Sequence, residues 1–301
     1  MKPSKTAPAR RLAVWLAGGL WAAAASVGFG GGPPPLGEEF QVNTYTTNYQ
    51  SNPSIAMEGG GGFVVVWSSN EQDGSGGGVF GRLFDAAGEP LGGEFQVNTH
   101  TAGSQFRPAV ARNGAGDFVV VWTSSPQDGS DQGVFGQRYD AAGNAVGREF
   151  QINTYTTGQQ YDHAVAADAF GNFVVVWNSR DQDGSDGGIF GQRYDAAGNA
   201  VGEEFQVNTY TTYSQRDPAV AADPAGNFVV VWGSSQACCY FGYAAIFAQR
   251  YDSAGTPAGG EFQVNETGGG QYDPAVAADA AGNFVVVWSS YYPDGGAADD
   301  I

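Results

Sequence analysis

Five short runs of apolar residues recur along the chain at a nearly constant interval. Each run reads Phe-Val-Val-Val-Trp, and the runs end at Trp67, Trp122, Trp177, Trp232 and Trp288. A continuous β-branched and aromatic run of this length is typical of a strand that is buried on both faces. A second mark, Phe-Gln-Val-Asn, with Ile in place of Val in the third copy, begins at Phe40 and returns in steps of 55, 55, 55 and 57 residues. The chain is therefore an internal repeat, and its units must stack on one another to bury their apolar faces.

Each repeat unit is expected to hold four strands. In the unit that starts near Asp162, the strands are predicted at 163–168, 173–177, 189–195 and 204–208. Two turns of the form Asp-x-x-Gly-Asn join the first strand to the second and the third to the fourth. Asp starts such a turn and Gly supplies its left-handed position, as in a tight hairpin. The content of 47 Gly and 13% aromatic residues agrees with many short strands joined by tight turns.

Four antiparallel strands that repeat around an axis form the blade of a β-propeller. The predicted fold is therefore all-β: a β-propeller of about five tandem units of about 55 residues. A β-solenoid is the alternative, but its parallel coils need no pair of hairpin turns in each unit. The fifth unit has its first two strands and then the sequence ends, so we expect an incomplete last blade and a truncated or longer parent protein. Alternate loops emerge on opposite edges of a blade, so the two long polar loops of each unit share one face.

Two resemblances add to this interpretation. The stretch Pro-Ala-Val-Ala-Ala-Asp, followed by Gly-Asn-Phe-Val-Val-Val-Trp, resembles the first two strands of blades in TolB-like propellers. That resemblance implies that the Pro-Ala-Val strand lines the central channel. The full set of Glu-Phe-Gln-Val-Asn-Thr, Asn-Phe-Val-Val-Val-Trp and Phe-Gly-Gln-Arg-Tyr-Asp is similar to a repeat of large secreted or surface proteins of bacteria, often beside calcium-binding repeats. It implies an extracellular β-propeller that acts as a recognition or adhesion module.

The N-terminal sequence predicts where the protein is located. Four basic residues precede an apolar stretch with Ala-x-Ala cleavage sequences, so residues 1–25 are expected to be a secretory signal peptide, with a retained membrane anchor as the weaker alternative. Residues 26–37 would be a Gly/Pro-rich linker, and residues 38–301 the repeat domain. The protein would be secreted, at the cell surface or outside the cell, with the periplasm as the alternative, and would have no membrane contact after cleavage.

The charge of the expected mature chain excludes one class of partner. Without the four basic residues of the leader, nine arginines face 31 acidic residues, which gives a net charge of −22 where the whole chain has −18. Such a surface repels phosphate backbones, so nucleic acid is not expected as a partner.

The long-loop face carries a recurring set of groups that suit a carbohydrate or protein ligand. A Gln stands three residues before the Pro-Ala-Val strand in every unit, with aromatic and acidic residues beside it. Amide, carboxylate and aromatic groups hold sugars by hydrogen bonds and stacking. The predicted ligand-binding residues are Gln50, Gln105, Gln160, Tyr161, Asp162, Gln215, Asp217, Gln271, Tyr272 and Asp273. The alternative is that these side chains cap loops and pin the blades together.

The second long loop of each unit is a candidate calcium site. Calcium binds six to eight oxygens from closely spaced carboxylates, carbonyls and water. The candidate ligands are Asp181, Asp183 and Asp186 in the third unit and Asp128 and Asp131 in the second. A solvated turn rich in Asp and Gly is the alternative. In the fourth unit the adjacent Cys238 and Cys239 replace the motif, as a vicinal disulfide, an intermolecular pair or free thiols.

Catalysis has little support in the sequence. No nucleophile elbow, zinc-binding helix or phosphate-binding loop is present. The acids recur in every unit, so no pair stands out as the two carboxylates of a glycosidase. Three hypotheses follow: a binding or adhesion module, a purely structural repeat array within a larger surface protein, and a secreted carbohydrate-active enzyme. Binding requires non-repeated polar and aromatic groups that cluster on the long-loop face.

Overall fold

The computed structural model describes residues 38–237, 245–266 and 270–291, and the short strands at 13–14 and 299–300. The rest of the predicted signal peptide, the linker 26–37 and the pair Cys238–Cys239 lie outside the described residues. Apart from a 3-10 turn at Ser235–Ala237, every regular element described is a β-strand. No helix in these ranges is long and apolar enough to cross a membrane.

The strands of each repeat follow one another in antiparallel order, and a single parallel bridge between Gly77 and Ser104 joins the first two repeats into one eight-stranded sheet. Two short strands precede the first complete sheet: β1 (Ala13–Val14) and β2 (Phe40–Gln41). Blade 1 consists of β3 (Gln50–Met57), β4 (Phe63–Asn70), β5 (Gly77–Phe84) and β6 (Phe95–Gln96). Blade 2 consists of β7 (Ser104–Arg112), β8 (Phe118–Ser125), β9 (Gly133–Tyr139) and β10 (Ala145–Gln151).

The remaining blades repeat this plan. Blade 3 consists of β11 (Gln160–Ala167), β12 (Phe173–Arg180), β13 (Gly187–Tyr194) and β14 (Ala200–Gln206). Blade 4 consists of β15 (Gln215–Ala222), β16 (Phe228–Ser234), β17 (Ala245–Tyr251) and β18 (Phe262–Gln263). Blade 5 has β19 (Gly270–Ala278), β20 (Phe284–Tyr291) and the short β21 (Asp299–Asp300). The prediction of an all-β propeller with five units and an incomplete last blade is confirmed.

The second strand of blades 2, 3 and 4 is buried on both faces because it lies between two neighbouring blades. In blade 2, Val120 and Trp122 pack against blade 1, whereas Val119 and Val121 pack against blade 3. The same alternation joins blades 3 and 4 and blades 4 and 5. Side chains of a strand alternate between its faces, so a continuous apolar run serves both interfaces at once. The first four tryptophans of the repeat have no exposed surface, while Trp288 in blade 5 is only half-buried.

The short turns have the predicted chemistry. In blade 3 the carboxylate of Asp168 accepts hydrogen bonds from the backbone N–H groups of Phe170 and Asn172, at 2.8 and 2.9 Å. Gly171 has a φ of +90°, a conformation that Gly adopts without strain.

A glutamate in the outer strand of each of the first four blades holds the preceding unit. Glu149 accepts bonds from the backbone N–H and the hydroxyl of Thr99, at 2.6 and 2.8 Å, and from the amide of Gln127 at 2.5 Å. We call this arrangement the Glu–Thr latch. The other latches join Glu94 to Thr44, Glu204 to Thr154 and Glu261 to Thr209. Bonds to a carboxylate are stronger than bonds between neutral groups, so the latches fix the outer strands of adjacent blades.

Candidate functional site

The first strand of each blade has a β-bulge at the same place. The pairing between the first and second strands shifts register there in all five blades. One non-glycine residue in each bulge has a φ between +47° and +53°: Asn52, Arg107, Asp162, Asp217 and Asp273. Such a φ is uncommon for residues other than Gly, Asn and Asp, and bulges re-aim side chains next to functional sites. We call these five positions the ring.

The ring residues come together around one cavity of about 520 Å³. Besides the five ring residues, Ala109, His163 and four prolines line it: Pro53, Pro108, Pro218 and Pro274. All five blades therefore contribute their first strand to the same opening, which is the mouth of the central channel. The prediction that the Pro-Ala-Val strand lines the channel agrees with this geometry. The ring lies near the start of each first strand, where the long loop enters, so the mouth opens on the long-loop face.

Charge is unevenly distributed around the mouth. Arg107 forms an ion pair with Asp162, and the Nε of Arg216 lies 3.8 Å from a carboxylate oxygen of Asp217. The side chains of Asp162 and Asp217 are 24% and 28% exposed, whereas Arg107 is 51% exposed. The mouth therefore combines two partly buried carboxyls, Asp162 and Asp217, with the exposed Asp273 and with guanidinium groups that reach solvent.

Partial burial changes the acidity of two of these carboxyls. Burial raises the pKa of Asp162, and the charge of Asp273 adds to this effect while Arg107 opposes it. Burial also raises the pKa of Asp217, and the charges of Asp162 and Asp273 add to it. Loss of water and nearby like charges both disfavour the ionised form of a carboxyl. Asp162 and Asp217 therefore hold their protons more tightly than free aspartates do.

His163 takes the place that proline has in the other four blades. Its Nδ1 lies 3.2 Å from the hydroxyl of Thr123 in blade 2. Burial lowers the pKa of His163 to about 4, so the imidazole is neutral near pH 7. The structure places this imidazole in the cavity wall.

The five predicted ligand-binding glutamines do not lie where a ligand could contact them. Gln50, Gln105, Gln160, Gln215 and Gln271 are all less than 7% exposed. In blade 2, the amide of Gln105 donates to the carbonyl oxygen of Ala102 at 3.0 Å, and its oxygen accepts from Asn98 at 3.1 Å. A buried amide must be hydrogen-bonded, and these bonds pin the long loop to the blade. Their burial favours the alternative of a blade pin, which the hydrogen bonds show in blades 1 to 4, and ligand binding by these glutamines stays a prediction from the sequence.

The structure separates the other predicted ligand-binding residues into two groups. Asp162, Asp217 and Asp273 lie together at the channel mouth. Tyr161 and Tyr272 precede the ring position by one residue, are half-buried and do not line the cavity. Asn52 and Arg107 were missed, although the repeat alignment places both at the ring position.

The predicted calcium ligands contact different partners in the structure. Asp183 accepts a bond from the backbone N–H of Ser185 at 3.0 Å, and Asp186 lies 3.8 Å from Arg180. Asp131 accepts a bond from Gln159 at 2.6 Å, and Asp128 accepts one from Ser130 at 3.0 Å. Asp181 has a φ of +61° at the start of its loop.

These acids do not converge on a common point in the structure. No group of three or more His, Cys, Asp or Glu residues within the described ranges could hold a metal ion. The arrangement gives calcium no preformed set of ligands here, and a calcium site stays a prediction from the sequence.

Comparison with known proteins supports the fold. No protein-family model and no curated protein matches the chain. A protein of unknown function from Dyadobacter fermentans has a TM-score of 0.60 at 11% identity, covering 88% of this chain and 79% of that chain. An α-L-arabinofuranosidase of Fusarium graminearum, solved with arabinobiose, has a TM-score of 0.55 at 12% identity, covering 82% and 79%. An α-L-arabinanase of Penicillium chrysogenum, also with arabinobiose, has 0.54 at 14%, covering 83% and 80%.

These identities establish similarity of fold alone. The resemblances of the repeat to TolB-like propellers and to a family of secreted bacterial proteins therefore stay predictions.

Proposed function

We propose that the mouth of the central channel is a carbohydrate-binding site, in a protein that acts outside the cytoplasm as its leader predicts. The observation that carries this proposal is the chemical variation of the ring. Asn52, Arg107 and the three aspartates occupy equivalent positions, yet the buried glutamine two residues earlier is the same in every blade. Positions that only stack blades have no reason to differ, so the variation favours recognition over a purely structural array.

The groups at the mouth suit a ligand that is rich in hydroxyls. Carboxylates accept hydrogen bonds from two hydroxyls at once, and the guanidinium and the Asn amide donate to ring or hydroxyl oxygens. The cavity of about 520 Å³ has the size of a small-ligand site, and the prolines and His163 give it a rigid rim. The three acids outnumber Arg107 and the nearby Arg216 and so disfavour sugar acids, which makes a neutral or amino sugar the expected ligand.

Two of the similar structures are complexes with arabinobiose, which makes arabinose-containing oligosaccharides a reasonable first probe. Recognition of this kind is part of the role expected from the sequence. Adhesion was the other part, and no described surface and no similar structure supports it.

The first test is the binding of arabinobiose and of a panel of neutral oligosaccharides by isothermal titration calorimetry. We expect binding by the wild type and at least a tenfold loss in Asp217→Asn, because a carboxyl that bonds two hydroxyls becomes an amide with one acceptor oxygen. Asp186→Asn is the matched control, since it removes one carboxylate from the same face outside the ring. Equal affinities in the three proteins, or no binding of any sugar, would contradict the proposal.

Glycoside hydrolysis is the second candidate function, and the acidity of the ring favours it. A glycosidase pairs a carboxylic acid of raised pKa with an ionised carboxylate. Asp162 and Asp217 have raised pKa values, and Asp273 acts on both as a nearby charge. Asp217 is the candidate acid because its Arg216 neighbour is more distant than the Arg107 that pairs with Asp162.

Hydrolysis is tested by the release of reducing ends from linear arabinan and from arabinoxylan. Activity that is lost in Asp217→Asn and kept in Asp186→Asn supports an enzyme. Sugar binding without release of reducing ends leaves the binding proposal intact and contradicts hydrolysis of these two substrates.

A further inference from the structure

One face of blade 5 is exposed where the other blades are buried. Val285 and Val287 are 68% and 51% exposed. The equivalent residues of blade 1, Val64 and Val66, are fully buried against blade 2. In blades 2, 3 and 4 the equivalent valines are at most 4% exposed. The β20 strand therefore presents a blade-packing face that has no blade on it.

The opposite end of the blade series has a matching exposed edge. Ile55 and Met57 in β3 are 48% and 54% exposed, whereas Val110, the equivalent of Ile55 in blade 2, is 8% exposed. Val110 belongs to the apolar cluster between blades 1 and 2. Ile55 and Met57 thus occupy the side of blade 1 on which a preceding blade would lie.

The exposed face of blade 5 and the exposed edge of blade 1 do not pack against each other. The first strands of successive blades pack side by side, from β3 with β7 to β15 with β19, but among the described residues no comparable packing joins β19 to β3. A gap therefore separates blade 5 from blade 1. The exposed valines beside this gap form a contiguous apolar face, and such a face marks an interaction surface.

One strand of the unit that belongs in this gap is already in place. Val42, next to β2, is fully buried against Phe63, Val65 and Trp67 of blade 1. The hydroxyl of Thr44 donates to Glu94 at 2.8 Å, and Arg82 donates to the carbonyl oxygen of Val42 at 3.1 Å. Thr99 and Glu149 form the same latch between blades 1 and 2. The segment around β2 therefore sits on blade 1 as the outer strand of a preceding blade.

The inner edge of β2 shows which strand it would accept. In blade 1, Phe80 and Gly81 of the third strand pair with Gln96 and Phe95. Ala13 and Val14 pair with Gln41 and Phe40 in the same register, so β1 occupies the place of a third strand. Both β1 residues belong to the predicted signal peptide, whose removal would leave this edge unpaired.

We propose that the gap between blade 5 and blade 1 is the docking place of one further repeat unit of the same type. It would supply three inner strands, the third of which pairs with β2, and its Phe-Val-Val-Val-Trp strand would cover Val285 and Val287 on one side and Ile55 and Met57 on the other. The occupant is defined by the four interfaces inside the chain, each of which covers such a face with the alternating apolar face of the next unit.

The test is a chain extended after Ile301 by a copy of its own residues 190–251. Within that copy, 190–206 supplies the third and fourth strands of blade 5, and 215–251 supplies three strands of the added unit. Val285→Asp is compared in the normal and the extended chain by thermal unfolding. We expect a fall of the midpoint below about 2 °C in the normal chain, where Val285 is exposed, and above about 5 °C in the extended chain, where an unpaired charge would be buried.

Two controls frame this comparison. Val201→Asp changes an outer-strand valine that is 37% exposed, and it should have the same small effect in both chains. Val231→Asp changes a fully buried valine of blade 4, and it should be severe in both. A large effect of Val285→Asp in the normal chain would show that blade 1 of the same chain covers the face, and would overturn the proposal.

If the extended chain does not unfold in a single cooperative transition, limited proteolysis tests whether the added unit is docked. A docked unit resists digestion together with residues 38–291, as a packed blade does. Digestion of the added residues while the rest stays intact, or an equally small effect of Val285→Asp in both chains, would also overturn the proposal.

Discussion

Two positions on the same strand, two residues apart, behave in opposite ways across the five blades. The buried position is glutamine every time, and in blades 1 to 4 its amide holds the long loop to its own blade. The ring position is Asn52, Arg107 or one of three aspartates, and it faces the channel mouth. The difference teaches that this repeat keeps the residues that build a blade and varies those that face the channel mouth. A site in such a protein is found at equivalent positions whose residues differ between the units.

The largest effect is expected from the buried framework. Trp177 has no exposed surface between blades 2 and 3. Trp177→Ala should lower the free energy of unfolding by about 3–5 kcal/mol, because it removes a large side chain and leaves a cavity. Urea denaturation followed by circular dichroism measures this loss. The control is Trp288→Ala at the half-buried equivalent in blade 5, and a loss as large as that of Trp177→Ala would contradict the packing described for the last blade.

A matched pair of variants in blade 3 sharpens the comparison directly. Gln160→Ala removes bonds to the Thr157 carbonyl at 3.0 Å and to Asn153 at 3.2 Å, so the free energy of unfolding should fall by about 2 kcal/mol. Asp162→Asn, two residues later, should change it by less than about 1 kcal/mol, because the partner Arg107 is half exposed. Both values come from the same urea titration. Equal losses would mean that the ring is also part of the framework.

The smallest effect has the opposite sign and depends on pH. Burial and the charges of Asp162 and Asp273 raise the pKa of Asp217 above its ordinary 3.8, so its ionisation destabilises the folded state near neutral pH. Asp217→Asn should therefore raise the thermal midpoint by about 2 °C at pH 7. The difference should disappear as the pH falls through the raised pKa, because the wild-type carboxyl is then protonated. A midpoint below that of the wild type at pH 7 would contradict the description of Asp217 as an unfavourable buried charge.

Much of the fold was predictable because the repeat encodes its own strands. The spacing of the tryptophans and the two Asp-x-x-Gly-Asn turns predict four strands in each unit, and the structure has them in blades 1 to 4. Part of the site was predictable from residue type, since Asp162, Asp217 and Asp273 are acids on the expected face. Strict repetition of the glutamines on a loop face was taken as a sign of binding, whereas in blades 1 to 4 the structure shows a shared hydrogen bond to the long loop.

Two features could not be predicted from the sequence. The bulge that turns the ring residues toward the channel depends on a positive φ at Arg107 and at three aspartates, and nothing in their neighbours signals it. Arg107 and Asn52 are also unlike the acids, so a search by residue type passes over them. His163 stands where the other blades have proline, and the packing of blade 3 against blade 2 is what shows its contact with Thr123.

The central claim is that the ring carries recognition and the rest of each blade carries the fold. The most direct test is a variant in which every ring position is asparagine: Arg107→Asn, Asp162→Asn, Asp217→Asn and Asp273→Asn beside the native Asn52. Asparagine is well suited to a positive φ, so the bulges should persist. Binding to a panel of immobilised oligosaccharides and the unfolding midpoint are measured for the variant and the wild type. We predict a midpoint at or above that of the wild type together with loss of every sugar that the wild type binds. An unchanged sugar profile in the folded variant would contradict the claim.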